Sequence, residues 1–176
     1  MYAQVPPVLS FVGRKNSGKT TVLVQVVREL KGMGLKVGTL KHAHDHDFEV
    51  DTPGRDSHRH YEAGADIVVV SSSVKLAAIR RVEREPGARE ILASHFHGMD
   101  LVLVEGYKTQ DLPRVEVFRR SVHAELLPSE GHRIAVVTDD TVDVDVPTFG
   151  FAHLCELAHF IVDRYCPSPR EDYHGP

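Results

Sequence analysis

One motif near the start of the chain combines glycines, a lysine and a hydroxyl at a spacing that suits phosphate chemistry. It matches the pattern G-x-x-x-x-G-K-[ST] at every fixed position, as Gly13-Arg14-Lys15-Asn16-Ser17-Gly18-Lys19-Thr20. The glycines allow the backbone to wrap tightly and to aim its N–H groups inward. Lys19 is expected to reach the β- and γ-phosphates of a nucleotide, and the Thr20 hydroxyl is expected to ligate Mg²⁺. With the adjacent Thr21, the motif predicts a phosphate-binding loop, or P-loop.

A carboxylate at the end of a neighbouring strand is the usual companion of a P-loop, because it helps to hold the magnesium ion. The segment Leu101–Val104 is apolar throughout and leads directly into Glu105. Asp100 precedes the same segment and would lie at its far end. Glu105 is therefore the predicted magnesium-site acid, although aspartate is the commoner residue at such a position.

Histidines are concentrated after the second predicted strand, where Lys41 is followed by His42, His44 and His46. With the neighbouring aspartates they could form a metal site. In the alternative interpretation, this is a solvated loop whose Lys41 and histidines approach phosphates while Asp51 approaches Mg²⁺ through water. The residues that follow are typical either of a nucleotide-sensing switch, with Arg55 and Asp56 as sensors, or of an ordinary helix start.

Another apolar segment, Ile134–Val137, is followed by Thr138 and by two acids, Asp139 and Asp140. A carboxylate can accept the N1–H and N2–H groups of guanine, and adenine offers no such pair of donors. Asp139 is the preferred candidate for guanine recognition. The alternative is a solvated acidic loop.

The elements that must position these residues alternate between short apolar strands and amphipathic helices. The strand Val8–Val12 precedes the P-loop, and the apolar residues of Lys19–Met33 recur on one helical face. Strands that are apolar at every position need cover on both faces. The pattern predicts an α/β fold of the P-loop NTPase type, with a mostly parallel sheet between helices in three layers. The polar residues after each strand, Ser71–Ser73 among them, are then candidate site residues.

Composition narrows the class of protein further. The 176 residues suit one domain, predicted over residues 1–166, with a loose tail over 167–176. The net charge of −4 does not favour nucleic acid or an anionic membrane as a partner. No apolar run is long enough for a membrane span, and no signal peptide is recognised. Two cysteines cannot build a disulfide framework, so a reducing cytoplasm is the expected compartment.

Four segments of the sequence are informative when taken together: GRKNSGKTT at Gly13–Thr21, LKHAHDHDFEVDTPGRDSHRHYEAGA at Leu40–Ala65, DLVLVEGYK at Asp100–Lys108 and VVTDD at Val136–Asp140. In combination they resemble the MobB family of molybdopterin-guanine dinucleotide biosynthesis adaptor proteins. The resemblance covers about residues 8–165, and the His-rich segment with its D-x-P-G-[KR]-D-S continuation is its most specific part. This chain carries Arg55 where the family commonly has lysine.

The resemblance implies a GTP-binding homodimer with weak GTPase activity. Such a protein would assist the MobA-type guanylyltransferase, which joins GMP to molybdopterin. The expected cofactors are GTP and Mg²⁺, and no catalytic residue is assigned. A metallochaperone GTPase for nickel insertion is the alternative function, and a small-molecule P-loop kinase is a third.

Overall fold

The computed structural model describes residues 5–43, 48, 50–107, 111–128 and 132–166. Contacts within the chain separate two compact units, the first formed by Met1–His42 with Ala88–Pro176 and the second by Ala43–Gly87. The single domain expected over residues 1–166 stays a prediction. The tail over residues 167–176 lies outside the described residues, as do His44 and His46.

The strands and helices of the first unit, in chain order, are β1 (Val8–Val12), α1 (Lys19–Gly32), β2 (Val37–Lys41), α3 (Ala88–His95), β5 (Leu101–Glu105), β6 (Arg114–Val117), β7 (Arg133–Val137), β8 (Thr148–Phe149) and α4 (Leu154–Tyr165). The strands form a six-stranded parallel sheet in the order β2-β5-β1-β6-β7-β8. The α/β class predicted from the sequence is confirmed. The two-residue strand β8 was not predicted.

Helices cover both faces of this sheet, as its apolar strands require. On one face, β1 and β5 contribute Leu9, Phe11 and Leu103 to a core shared with α1 and α4. On the other face, Val102 and Val104 pack against Leu92 of α3. These two clusters bury the central strands and fix the end of β1, from which the P-loop departs.

The second unit holds the remaining elements: helix α2 (Asp56–Glu62) and an antiparallel pair formed by β3 (Ile67–Ser71) and β4 (Leu76–Arg80). The sequence predicts a turn at Ser71–Ser73 with Lys75–Val82 pairing back as a hairpin, and the structure confirms this: Ser72 lies in the turn that joins β3 to β4, where its N–H donates to the Lys75 carbonyl at 2.8 Å. The prediction that Ser71–Ser73 are candidate site residues at the end of a main-sheet strand is wrong, because β3 and β4 form a separate two-stranded sheet. None of the described helices is both long and apolar enough to cross a membrane.

Candidate functional site

The loop between β1 and α1 has the backbone geometry that its glycines permit. Gly13 has φ +154°, and a Cβ at this position would lie 2.5 Å from the Val117 carbonyl oxygen and 2.8 Å from Ser17 Oγ. Asn16 and Gly18 have φ 65° and 93°. Only glycine fits the contact at position 13, so the sequence requirement there is steric as well as conformational.

Helix α1 begins directly after the loop, at Lys19, so its first turn adjoins the loop. Gly18 occupies the N-cap position and has no side chain to cap the first turn. The early N–H groups of a helix lack partners within the helix, and together with the helix dipole they favour an anion. Lys19 Nζ donates to the Arg14 carbonyl at 2.7 Å and therefore lies across the loop. This is a cradle of donors and positive charge of the kind that suits a phosphate group.

The predicted magnesium-site acid lies beside the loop. Thr20 Oγ1 donates to Glu105 Oε1 at 2.8 Å, across 85 residues of sequence. The sheet produces this contact because β5 pairs in parallel with β1, with Phe11 opposite Glu105. Gly106 N also donates to the Phe11 carbonyl at 3.2 Å, which ties the end of β5 to β1.

Asp100 lies at the opposite end of β5, as the sequence predicted. Its Oδ2 accepts the Lys36 N–H at 2.7 Å. It therefore braces the amino end of β2 rather than the loop.

The start of the His-rich segment adjoins the same acid. Lys41 ends β2 opposite Glu105 of β5, and His42 N donates to the Glu105 carbonyl at 3.0 Å. The His42 ring lies 4.6 Å from the ring of Tyr107, centroid to centroid. The structure thus brings Lys41, His42, Thr20 and Glu105 to one edge of the sheet.

The other residues assigned from the His-rich region and its continuation belong to the second unit. The Ser57 hydroxyl and the Thr52 N–H, the latter at 2.8 Å, donate to the Asp51 carboxylate and lower its pKa. Arg55 is the N-cap of α2, and Asp56 is the first residue of that helix. A metal or sensor role for these three residues stays a prediction. Among the described residues, no group of three His, Cys, Asp or Glu side chains is placed to hold a metal ion.

The two acids after β7 have different surroundings. Asp140 Oδ2 accepts the Arg120 N–H at 2.7 Å and so joins the segment after β7 to the segment after β6. Asp139 Oδ1 accepts the Phe151 N–H at 3.0 Å. Guanine recognition by Asp139 stays a prediction, and the structure adds that its carboxylate is fixed against the turn after β8.

Two residues beside the P-loop were missed from the sequence. Phe151 and Arg119 both approach Gly18: a Cβ on that glycine would lie 3.5 Å from Phe151 Cε1 and 3.7 Å from Arg119 Nε. The Arg119 guanidinium lies over the Phe151 ring, 3.6 Å from its centroid. The only sequence signal was an aromatic residue after a glycine near a strand end, and β8 is too short for its periodicity to be recognised.

The residues of this loop and its neighbours fit the nucleotide phosphates and the Mg²⁺ ion that the P-loop motif implies. Ser17 Oγ, inside the loop, is buried with no partner among the described residues, as expected of a hydroxyl in a loop built to receive polar ligand atoms. Thr20 and Glu105 present a hydroxyl and a carboxylate, the oxygen ligands that Mg²⁺ prefers.

Comparison with known proteins agrees with this arrangement. Residues 8–139 match the family described as MobB, molybdopterin guanine dinucleotide synthesis protein B. A relative from Escherichia coli K12, named molybdopterin-guanine dinucleotide biosynthesis adapter protein, is 33% identical over 162 residues, covering 89% of this chain and 92% of the relative. A relative of the same name from Haemophilus influenzae is 31% identical over 157 residues, covering 88% and 87%.

The fold is also that of a solved structure of this kind. The crystal structure of a molybdopterin-guanine biosynthesis protein B superposes with a TM-score of 0.72 and 32% identity, over 89% of this chain and 98% of the other. The family match spans most of the chain and includes the P-loop and Glu105. The chain therefore belongs to the MobB family of molybdopterin guanine dinucleotide synthesis proteins.

Proposed function

We propose that this protein binds GTP with Mg²⁺ and acts as an adapter for the MobA-type guanylyltransferase that joins GMP to molybdopterin. The observation that carries the proposal is the 2.8 Å hydrogen bond between Thr20 Oγ1 and Glu105 Oε1 at the start of α1. This bond joins the hydroxyl of the P-loop motif to the acid of the neighbouring strand, which supports a shared role for them in holding Mg²⁺. Membership of the MobB family supports a role in molybdopterin guanine dinucleotide synthesis.

In this proposal the P-loop binds the triphosphate. The backbone N–H groups of residues 13–20 and the Lys19 ammonium provide the donors, and Thr21 extends the set along the first turn of α1. Thr20 and Glu105 would hold Mg²⁺, with Asp51 as a further candidate through water. The ion, when bound, neutralises charge on the phosphates. Asp139 is the proposed acceptor for guanine.

The proposed role of the bound nucleotide is to change the conformation of a segment of the chain that the partner protein recognises. The segment starts at Lys41, opposite Glu105, and continues through His42 and His44 to Arg55 and Asp56. A change at the magnesium site is therefore adjacent to the start of this segment. Hydrolysis is expected to be slow, because a positioned arginine finger can account for about 10³–10⁵ in rate and no residue is assigned to that role. A cytoplasmic location is part of the proposal.

Homodimer formation is also proposed, and the β3–β4 pair is the surface that supports it. Residues directly opposite each other in an antiparallel pair share a face. Ile67, Val69 and Leu76 lie on one face of this pair and are 44%, 53% and 69% exposed. A second copy would bury this apolar face, so Val69→Lys should shift the protein to a monomer in sedimentation velocity.

Guanylyl transfer tests the proposed function directly. Wild-type protein is mixed with the guanylyltransferase, molybdopterin, Mg²⁺ and GTP, and dinucleotide formation is followed. The wild-type protein should stimulate the reaction and Lys19→Ala should not. Lys36→Ala is the matched control, since it removes an exposed lysine from the opposite end of the sheet. Equal stimulation by wild type and Lys19→Ala would contradict the proposal.

A further inference from the structure

A groove opens along α1 where the P-loop ends. It has a volume of about 590 Å³ and begins at Thr20 and Thr21. Val24 lies on the α1 side and is 41% exposed, and Phe151 and Ala152 form the wall across from it. Cavities that hold small molecules have volumes of about 300–1,000 Å³.

Phe151 is fixed in this groove by three separate contacts. Its ring edge approaches Gly18 of the P-loop, and the Arg119 guanidinium lies 3.6 Å from its ring centroid. Its backbone N–H donates to Asp139 Oδ1 at 3.0 Å. An aromatic ring is thus held in a defined place between the P-loop and a groove.

The groove is continuous with the loop that would hold the phosphates. A nucleotide anchored by its phosphates at residues 13–20 must lay its ribose and base against the adjoining surface. The groove starts at the last residues of the motif and offers an apolar side chain, Val24, and an aromatic ring, Phe151. Nucleobases stack on aromatic side chains, and a cation on the ring adds to such stacks.

We infer that this groove binds the purine base of the nucleotide, stacked on the ring of Phe151. Arg119 backs the ring, and Asp139, the proposed guanine acceptor, also holds the Phe151 backbone through Oδ1. The inference rests on the proposed nucleotide binding and adds the residues that distinguish a nucleotide from inorganic phosphate chains.

Tryptophan fluorescence tests the stacking, because the chain contains no tryptophan. Phe151→Trp introduces a single reporter at the proposed base site. GTP with Mg²⁺ should quench its emission, whereas inorganic tripolyphosphate should bind without quenching it. Tyr165→Trp, at the far end of α4, is the matched control and should respond to neither ligand. A GTP response that is equal for the two reporters would overturn the inference.

Affinity measurements separate this inference from the proposed function. Loss of one stacked base corresponds to about 5- to 150-fold in affinity. Phe151→Ala should weaken GTP binding by that factor and leave tripolyphosphate binding within about twofold, and Phe151→Tyr should restore GTP binding. If wild type binds both ligands and Phe151→Ala loses neither or loses both equally, the base site is wrong and nucleotide binding stands. If wild type binds neither ligand, both proposals fail.

Discussion

The steric requirement at Gly13 leads to a prediction whose size follows from the structure. In Gly13→Ala the new Cβ would lie 2.5 Å from the Val117 carbonyl oxygen, a main-chain atom in the buried strand β6. Real Cβ contacts are not shorter than 3.0 Å, so the loop or the end of β6 must shift by at least half an ångström. Overpacking and a backbone conformation unfavourable to alanine together cost about 2–4 kcal/mol. The free energy of unfolding, measured in urea, should fall by that amount.

A second glycine supplies a control of opposite sign. Gly32 ends α1, and a Cβ there would have no neighbour within 4 Å. Gly32→Ala should therefore raise the free energy of unfolding by about 0.5–1 kcal/mol, because alanine loses less conformational freedom in a helix. Gly13→Ala should also abolish detectable GTP binding, and Gly32→Ala should not change it. A free energy of unfolding for Gly13→Ala equal to that of wild type would refute the steric argument.

Two further predictions concern groups outside the loop. Glu116 is buried, with Oε2 2.8 Å from Arg133 Nη2 and Oε1 accepting the Leu127 N–H at 2.6 Å. Glu116→Gln should therefore lower the free energy of unfolding, measured in urea, by about 3 kcal/mol. An unchanged free energy of unfolding would mean that the Glu116–Arg133 pair is not maintained in solution. Burial raises the pKa of the Cys166 thiol, whereas Cys155 is exposed. Iodoacetamide at about pH 8 should therefore alkylate Cys155 faster than Cys166, as resolved by mass spectrometry. Equal alkylation rates at the two cysteines would contradict this prediction.

The positions of the P-loop and of Glu105 could be predicted because their requirements are local. The spacing from Gly13 to Thr20 follows from the phosphates that such a loop binds, and the apolar face of α1 is visible in the periodicity of its residues. Glu105 was predictable because an acid after a buried parallel strand must lie at the carboxyl edge of the sheet. Its contact with Thr20 confirms that placement.

Other features of the structure depended on which segments of the chain pack against one another, and the periodicity of the sequence does not determine this. Ile67–Val70 is as apolar as a central strand, yet Val69 is 53% exposed in a two-stranded antiparallel pair. A hydrophobic run indicates a surface that needs cover, without indicating what covers it. Phe151 was missed for a related reason, because its position beside Gly18 depends on the path of the chain after β8.

The magnesium dependence of GTP binding tests the central claim most directly. Calorimetric titrations of GTP with and without Mg²⁺ would compare wild type, Glu105→Gln and the control Glu125→Gln, which changes an exposed carboxylate elsewhere. Mg²⁺ should tighten GTP binding to wild type and to the control, and about tenfold of that gain should be lost in Glu105→Gln, while binding without Mg²⁺ stays the same. An undiminished magnesium effect in Glu105→Gln would contradict the assignment of Thr20 and Glu105 as the magnesium site.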